Sequence, residues 1–374
     1  MDTDATEDQR ALLDVSVRFM EETCPLEMLR DPQQVDGDFA GSYRQQAAEL
    51  GWFSMLVPEE LGGGNISGNG VLDAALIAYH RGGLLQPGAF VGTNVAAWAL
   101  ARLGSDELRS EILPALVGGE VSASWAVACS ADRRLVGGVS ARAIDGGGLE
   151  LTGAKTTVQD VERSSWLLVT CESPAGPAQV MIPADTPGVT VTPLDSLDLT
   201  RRFAEVRFDD VAVSASRVVG SPGEIDVVLE EQLAIAALLT AAESVGAMNN
   251  ELEMTVQYAK DRIAFGRPIG SFQAVKHLLA DTSLAVEMGK AAVLAAARSL
   301  GSGDGYGVQA ASMAKALVGE SAVELAQNCF QVFGGIGYTW EHDQHYYLRR
   351  LTTDAALYGD ASWHREHLCQ LAGI

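Results

Sequence analysis

The chain has 374 residues, of which 47% are hydrophobic and 20% charged, and it carries a formal net charge of −23 at pH 7. That length allows one large domain or two to three smaller ones, with ample material for packed cores. With 49 acidic against 26 basic side chains, it has too few cations to neutralise phosphates, which argues against nucleic acid and against an anionic membrane surface as partners.

The first 121 residues read as a helical domain. A loose apolar pattern (Leu12, Leu13, Val15, Val17, Phe19) suggests a helix over Asp8–Cys24, and the Pro- and Gly-rich stretch Val57–Ser67 breaks the pattern. Helices are expected over Gly70–His80 and Asn94–Leu103. Ser105 is placed to cap the next helix, with Asp106 and Glu107 in its first turn. Residues 122–221 change to short strand-like runs, among them Ser165–Cys171, Ala178–Ile182 and Val189–Val191, separated by Gly, Pro and Asp. Such texture suggests a small sandwich or barrel. From 222 to 374 helices return over Glu230–Arg262, Phe272–Leu300, Val308–Phe333 and Tyr346–Leu371, which suggests an antiparallel four-helix bundle. The fold class expected is therefore α+β, with helical, β and helix-bundle domains in that order.

Cys24, Cys129, Cys171, Cys329 and Cys369 are scattered with no CxxC pair and read as reduced thiols. The acidic stretch MDTDATEDQR lacks the basic and apolar regions of a secretion signal, and no apolar run reaches the length of a membrane span. A cytoplasmic location is the expectation. His342/His345 and His364/His367 are pairs spaced by three, but no Cys or carboxylate supports them at a metal-ligand spacing, so no metal site is expected.

Two segments carry the most specific signal: Tyr258–Asp281 (YAKDRIAFGRPIGSFQAVKHLLAD) and Gln331–Tyr338 (QVFGGIGY). Both resemble parts of the C-terminal domain of acyl-CoA dehydrogenases, and GWFSMLVPEELGGG (51–64) and LGSDELRSEILPALVGGE (103–120) resemble N-terminal segments of the same family. The resemblance implies an FAD flavoprotein of lipid metabolism, a tetramer, and α,β-desaturation of a substrate held on coenzyme A or an acyl-carrier protein. It also implies that Arg262 contacts the FAD pyrophosphate of a neighbouring subunit and that Phe265 packs on the cofactor. A guanidinium fork suits phosphate oxygens, and a spacing of three would put both residues on one helix face. Gln273 matches the Gln of the family's Phe-Gln pair, Gln331 the polar residue that opens the second motif, and Gly334 and Gly335 lack side chains, so their backbone can approach a cofactor closely.

The resemblance fails at the catalytic base. Family enzymes remove the proton next to the thioester carbonyl with a Glu that stands directly before a Gly, and that position here is Tyr358, before Gly359. A second group places the Glu early in the long helix, where Ala236 stands here. Asp360, two residues on, and Glu243, two helical turns beyond Ala236, are the remaining candidate bases, against plain readings as a cap residue and a buried helix polar group. The flavin-facing β segments also depart: Trp125–Gly138 reads WAVACSADRRLVGG, and Thr157, Val158, Gln159 and Asp160 replace the family's Trp-Ile-Thr-Asn. This combination resembles the degenerate subunit of actinobacterial heterotetrameric acyl-CoA dehydrogenases. Three readings follow: a dehydrogenase acting alone or in a homo- or hetero-tetramer, a non-catalytic subunit that completes a partner's FAD site, or an acyl-carrier-protein dehydrogenase of a biosynthetic pathway.

Overall fold

The computed structural model describes residues 5–31, 34–128, 137–221 and 224–374. Six helices come first: α1 (Glu7–Thr23), α2 (Leu26–Leu29), α3 (Asp38–Glu49), α4 (Gly70–Gly83), α5 (Phe90–Leu103) and α6 (Asp106–Val117). Their starts follow from local chemistry. Thr6 and Gln9 form a capping box on α1, and Ser105 Oγ accepts the Leu108 amide at 3.2 Å to begin α6. Burial of Val71, Ala74, Ala75, Leu76, Ile77 and Ala78 leaves almost no polar face on α4, which is why it lies inside the molecule.

Among the described residues eight strands follow: β1 (Ala123–Ala126), β2 (Val139–Ala143), β3 (Leu149–Gln159), β4 (Trp166–Ser173), β5 (Gly176–Pro183), β6 (Val189–Leu194), β7 (Phe203–Val213) and β8 (Val218–Val219). They form one mixed sheet in the order β6-β7-β3-β2-β4-β5-β8, with β1 pairing parallel to β4. Alternation along β4 divides its buried residues between two cores. Leu167 and Val169 join the core internal to the β region, while Leu168 joins the helical core with Trp125 and Met181. The sheet is thereby seated on the helices by the same strand that stabilises it.

The C-terminal part comprises α7 (Glu224–Asp261), a small hairpin of β9 (Ile263–Ala264) and β10 (Arg267–Pro268), then α8 (Gln273–Ser302), α9 (Gly307–Phe333), α10 (Gln344–Ala356) and α11 (Ala361–Ala372). At 1.5 Å per residue α7 runs about 57 Å. It packs on α4, α8, α9 and α10. Among the described residues no helix is long and apolar enough to cross a membrane.

Two expectations are corrected here. Arg262 and Phe265 do not share a helix face, because α7 stops at Asp261. Phe265 (φ 54°) and Gly266 (φ 77°) both adopt left-handed backbone, the requirement of a two-residue turn joining β9 to β10. The final helical stretch is also two helices, broken at Tyr358 (φ 54°) and Gly359 (φ 100°), conformations that no α-helix contains.

Candidate active site

The centre begins with a close approach of two helices. A Cβ on Gly82 of α4 would lie 1.8 Å from the Glu243 carbonyl oxygen, and one on Gly246 of α7 would lie 1.7 Å from the Tyr79 carbonyl oxygen. Only glycine permits this backbone contact. It brings Arg81 beside Glu243, with Nε 3.5 Å from Oε1.

Around that contact the chain buries a dense set of charges. Arg201, on the segment leading into β7, is ion-paired to both Glu243 and Asp354 of α10. Ser244 Oγ approaches the second Asp354 oxygen at 3.4 Å. Next to this trio Arg350 Nε donates to Asp198 at 2.7 Å, and Arg350 also bonds the Thr200 hydroxyl. Arg81, Arg201, Arg350, Glu243, Asp354 and Asp198 are each no more than 5% exposed. Buried ions persist only when paired, and here each guanidinium has a carboxylate partner.

The carboxyls respond to these surroundings in opposite directions. Burial raises Asp354 to about 6 against the pull of Arg201 and Arg350, with Glu243 and Asp198 pushing it further up. Asp198 also loses hydration, yet Arg350, Arg201 and bonds from Thr200 hold it below the ordinary carboxylate range. Asp160 is raised by burial, partly opposed by a bond from Gln159 and the field of Arg163.

Tyr358, at the position where the family carries its base, lies half-buried with its ring stacked on Trp125, centroids 5.9 Å apart at 18°. Burial raises its phenol well above the ordinary tyrosine value, so it keeps its proton. Ala236 is fully buried and supplies no functional group. Glu243 is held by two guanidinium groups. Asp360 caps α11, its carboxylate accepting the Trp363 amide at 2.7 Å. Among the described residues, two positions that face the flavin in the family are filled differently here. Thr157, with φ 52° and its hydroxyl bonded to the Thr156 carbonyl, stands in place of an indole. The Gln159 side-chain amide donates to Asp160, and the Gln159 main-chain carbonyl accepts from the Ser124 hydroxyl. Of the Trp125–Gly138 stretch, residues 129–136, including Cys129, lie outside the described residues.

The cofactor residues expected from sequence lie elsewhere. Tyr258, one turn before Arg262, packs on Phe333, the residue before Gly334, at 4.9 Å between rings. That contact brings the hairpin with Arg262 and Phe265, the start of α8 with Gln273, and the end of α9 with Gln331, Gly334 and Gly335 to one end of the bundle. Arg262, Gln273, Gln331 and Gly335 are exposed there, and Phe265 is 96% exposed. Among the described residues Arg262 has no ion-pair partner, and a Cβ on Gly334 or Gly335 would meet nothing within 4 Å. Open glycine backbone, an available guanidinium and a bare aromatic ring fit a phosphate-bearing aromatic ligand. This end stands 15 residues of α7 from Glu243, about 22 Å along the helix axis. The two sets are therefore separate places in one chain.

Models of the acyl-CoA dehydrogenase C-terminal and N-terminal domains match residues 225–370 and 6–120. Acyl-CoA dehydrogenase FadE27 of Mycobacterium tuberculosis is 31% identical over 368 residues, covering 96% of this chain and 94% of FadE27. The chain belongs to the acyl-CoA dehydrogenase family. Members of this acyl-CoA dehydrogenase family are FAD flavoproteins. FadE34 of the same organism is 33% identical over 312 residues, covering 81% of this chain but only 38% of FadE34. Butyryl-CoA dehydrogenase from Megasphaera elsdenii has the same fold, with a TM-score of 0.90 at 22% identity over the full length of both chains. A chain of a variant Tcur3481–Tcur3483 steroid ACAD superposes with a TM-score of 0.86 at 25% identity, covering 98% of each.

Sequence reasoning missed Arg81, Arg201, Arg350, Asp198 and Asp354. The available signal, for Arg201 and Arg350 alone, was their place in the basic doublets Arg201–Arg202 and Arg349–Arg350. In each doublet one arginine faces inward to a buried acid and its neighbour is more exposed.

Proposed function

We propose that this chain is the supporting subunit of a mixed acyl-CoA dehydrogenase tetramer. Its C-terminal end, with Arg262, Phe265, Gln273, Gln331, Gly334 and Gly335, completes the FAD site of a related partner subunit. The partner supplies the carboxylate base, and the complex desaturates an acyl thioester between its α and β carbons. FAD supplies the hydride acceptor for that chemistry. This chain's own part is to hold the pyrophosphate with Arg262 and to cover the cofactor with Phe265.

The observation that carries this reading is the occupant of the base position: Tyr358, stacked on Trp125, beside acids already committed to Arg201. A carboxylate held in a buried ion-pair network is not free to reach a substrate carbon, because moving it leaves a buried guanidinium unpaired. The likeness to a chain of the Tcur3481–Tcur3483 steroid ACAD supports this reading.

The test is turnover of the co-purified complex with an artificial electron acceptor after Asp360→Asn in this chain. The reading expects turnover within about twofold of the parent. Loss of a general base costs on the order of 10²–10⁴-fold, and a drop of that size would make Asp360 the base and this chain catalytic.

A further inference from the structure

Behind the Tyr358–Gly359 turn lies a row of polar side chains that the charged centre does not use. His364 Nε2 is 3.1 Å from the Tyr358 carbonyl oxygen, and His364 Nδ1 is 3.2 Å from Ser312 Oγ. Ser312 Oγ is also 3.2 Å from His367 Nδ1. His367 Nε2 in turn lies 2.9 Å from Glu230 Oε2. The contacts run in series from the turn to the surface: Ser312 and His364 are 3% exposed, His367 9%, and the Glu230 side chain 47%.

Counting donors fixes the direction of this row. The Tyr358 carbonyl only accepts, so His364 Nε2 carries a hydrogen. Burial, with the Lys315 cation beside it, pushes His364 down to about 3, so the ring is neutral and its Nδ1 is an acceptor. Ser312 therefore donates to His364. A hydroxyl has one proton, so Ser312 must accept from His367, whose Nδ1 carries a hydrogen. At the outer end His367 Nε2 then faces a carboxylate oxygen, and two acceptors at that distance repel unless a proton lies between them.

We propose that His364, Ser312 and His367 are positioning residues for the Tyr358 turn, joined in a one-way hydrogen-bond chain that a single proton held between His367 and Glu230 completes. When that proton leaves to solvent through exposed Glu230, the His367 hydrogen moves to Nε2 to meet the carboxylate. Nδ1 becomes an acceptor, Ser312 is shared between two acceptors, and the hold on His364 weakens. Gly359 keeps the row tight: a Cβ there would meet His364 Nε2 at 2.9 Å and Trp363 Cε3 at 2.7 Å. The groups that face the row are Glu230 on α7, Ser312 and Lys315 on α9, and Asp360, Trp363 and His364 on and before α11. Lys315, lowered to about 8 by burial, is itself committed to the carbonyls of Ala355 and Gly359 at 3.1 and 3.0 Å. From α10, Asp354 acts on Lys315 through its field. The inference concerns the hold on the turn and stands whether or not the chain is a supporting subunit.

Amide hydrogen exchange read by mass spectrometry on the full chain tests it, using peptides within 355–364 and correcting for the intrinsic pH dependence of exchange. Protection of these peptides falls about tenfold, the scale of one buried hydrogen bond, between about pH 5 and about pH 7, below the range in which Lys315, at about 8, loses its own proton. Glu230→Gln keeps protection high at both ends of that range, because its amide N–H donates to His367 Nε2 and completes the row without a titrating proton. Ser312→Ala lowers protection at both ends, with thermal unfolding confirming a folded chain. His367→Gln, a second route that removes the titrating ring, abolishes the pH dependence. Equal protection across the pH range in the parent chain overturns the proposal, and so does a Glu230→Gln variant that keeps the parental pH dependence.

Discussion

Arg201→Met separates a working buried ion network from an incidental one. Arg201 and both its partners, Glu243 and Asp354, are at most 5% exposed, so the substitution leaves two carboxylates in a dry interior with their shared cation gone. Removing one partner of a buried pair costs about 3–5 kcal/mol, a large share of the roughly 5–15 kcal/mol that holds a domain folded. The cost also has a sign in pH. Asp354 stands at about 6 with Arg201 in place, above its ordinary 3.8 because of burial. A raised folded value means that the native state keeps a proton the unfolded chain has released, so stability falls as pH rises from 3.8 through 6. Without Arg201, the largest opposing influence on Asp354, that value rises and the window extends upward. Urea unfolding at about pH 5 and about pH 8 reads both effects. We expect the larger loss at the higher pH, and substantial recovery when Glu243→Gln and Asp354→Asn are added, since no orphaned charge then remains. A loss below about 1 kcal/mol at the higher pH, the size of an exposed pair, with no pH dependence, would refute the reasoning.

Other outcomes follow from single residues. Glu251 of α7 is fully buried, and burial raises it to about 8, opposed only by the Gln344 side chain. Stability therefore declines as pH rises from the ordinary glutamate value towards 8, and Glu251→Gln flattens that slope in pH-dependent denaturation. Gly359→Ala forces a Cβ into His364 and Trp363 at a φ of 100° and should lower the midpoint of thermal unfolding by more than any exposed Gly→Ala change; an unchanged midpoint would mean that the turn relaxes freely. Asp360→Ala removes the cap of α11 and should cost about 1 kcal/mol in chemical denaturation. Arg262→Ala lies on an exposed hairpin and should leave unfolding unchanged while lowering the flavin content of the mixed complex.

The three-part architecture could be read from the sequence because its signals are local. Ser105 begins α6, and the short β-rich runs of β4 and β5, bounded by Gly, Pro and Asp, mark strands, whatever surrounds them. Arg262 with Phe265 misled because a spacing of three looks helical, whereas the turn needed for Phe265–Gly266 depends on two left-handed residues, only one of them glycine. The break at Tyr358–Gly359 was hidden for the same reason: a tyrosine with φ 54° gives no compositional warning. The charge network was illegible for a different reason. Arg201 meets Glu243 and Asp354 across sequence gaps of 42 and 153 residues, and no periodicity reports a partner that distant. The empty base position was legible, because it is a missing residue in a fixed motif. What fills the place needed coordinates.

The central claim is that this chain supports a flavin it does not hold in its own centre. Visible absorption of the chain purified alone, and again after co-expression with a related subunit, tests it most directly. The account predicts no flavin bands from the chain alone, bands in the complex, and their loss from the complex on Arg262→Ala in this chain. Stoichiometric flavin in the chain alone, with dehydrogenation of an acyl thioester, would contradict it.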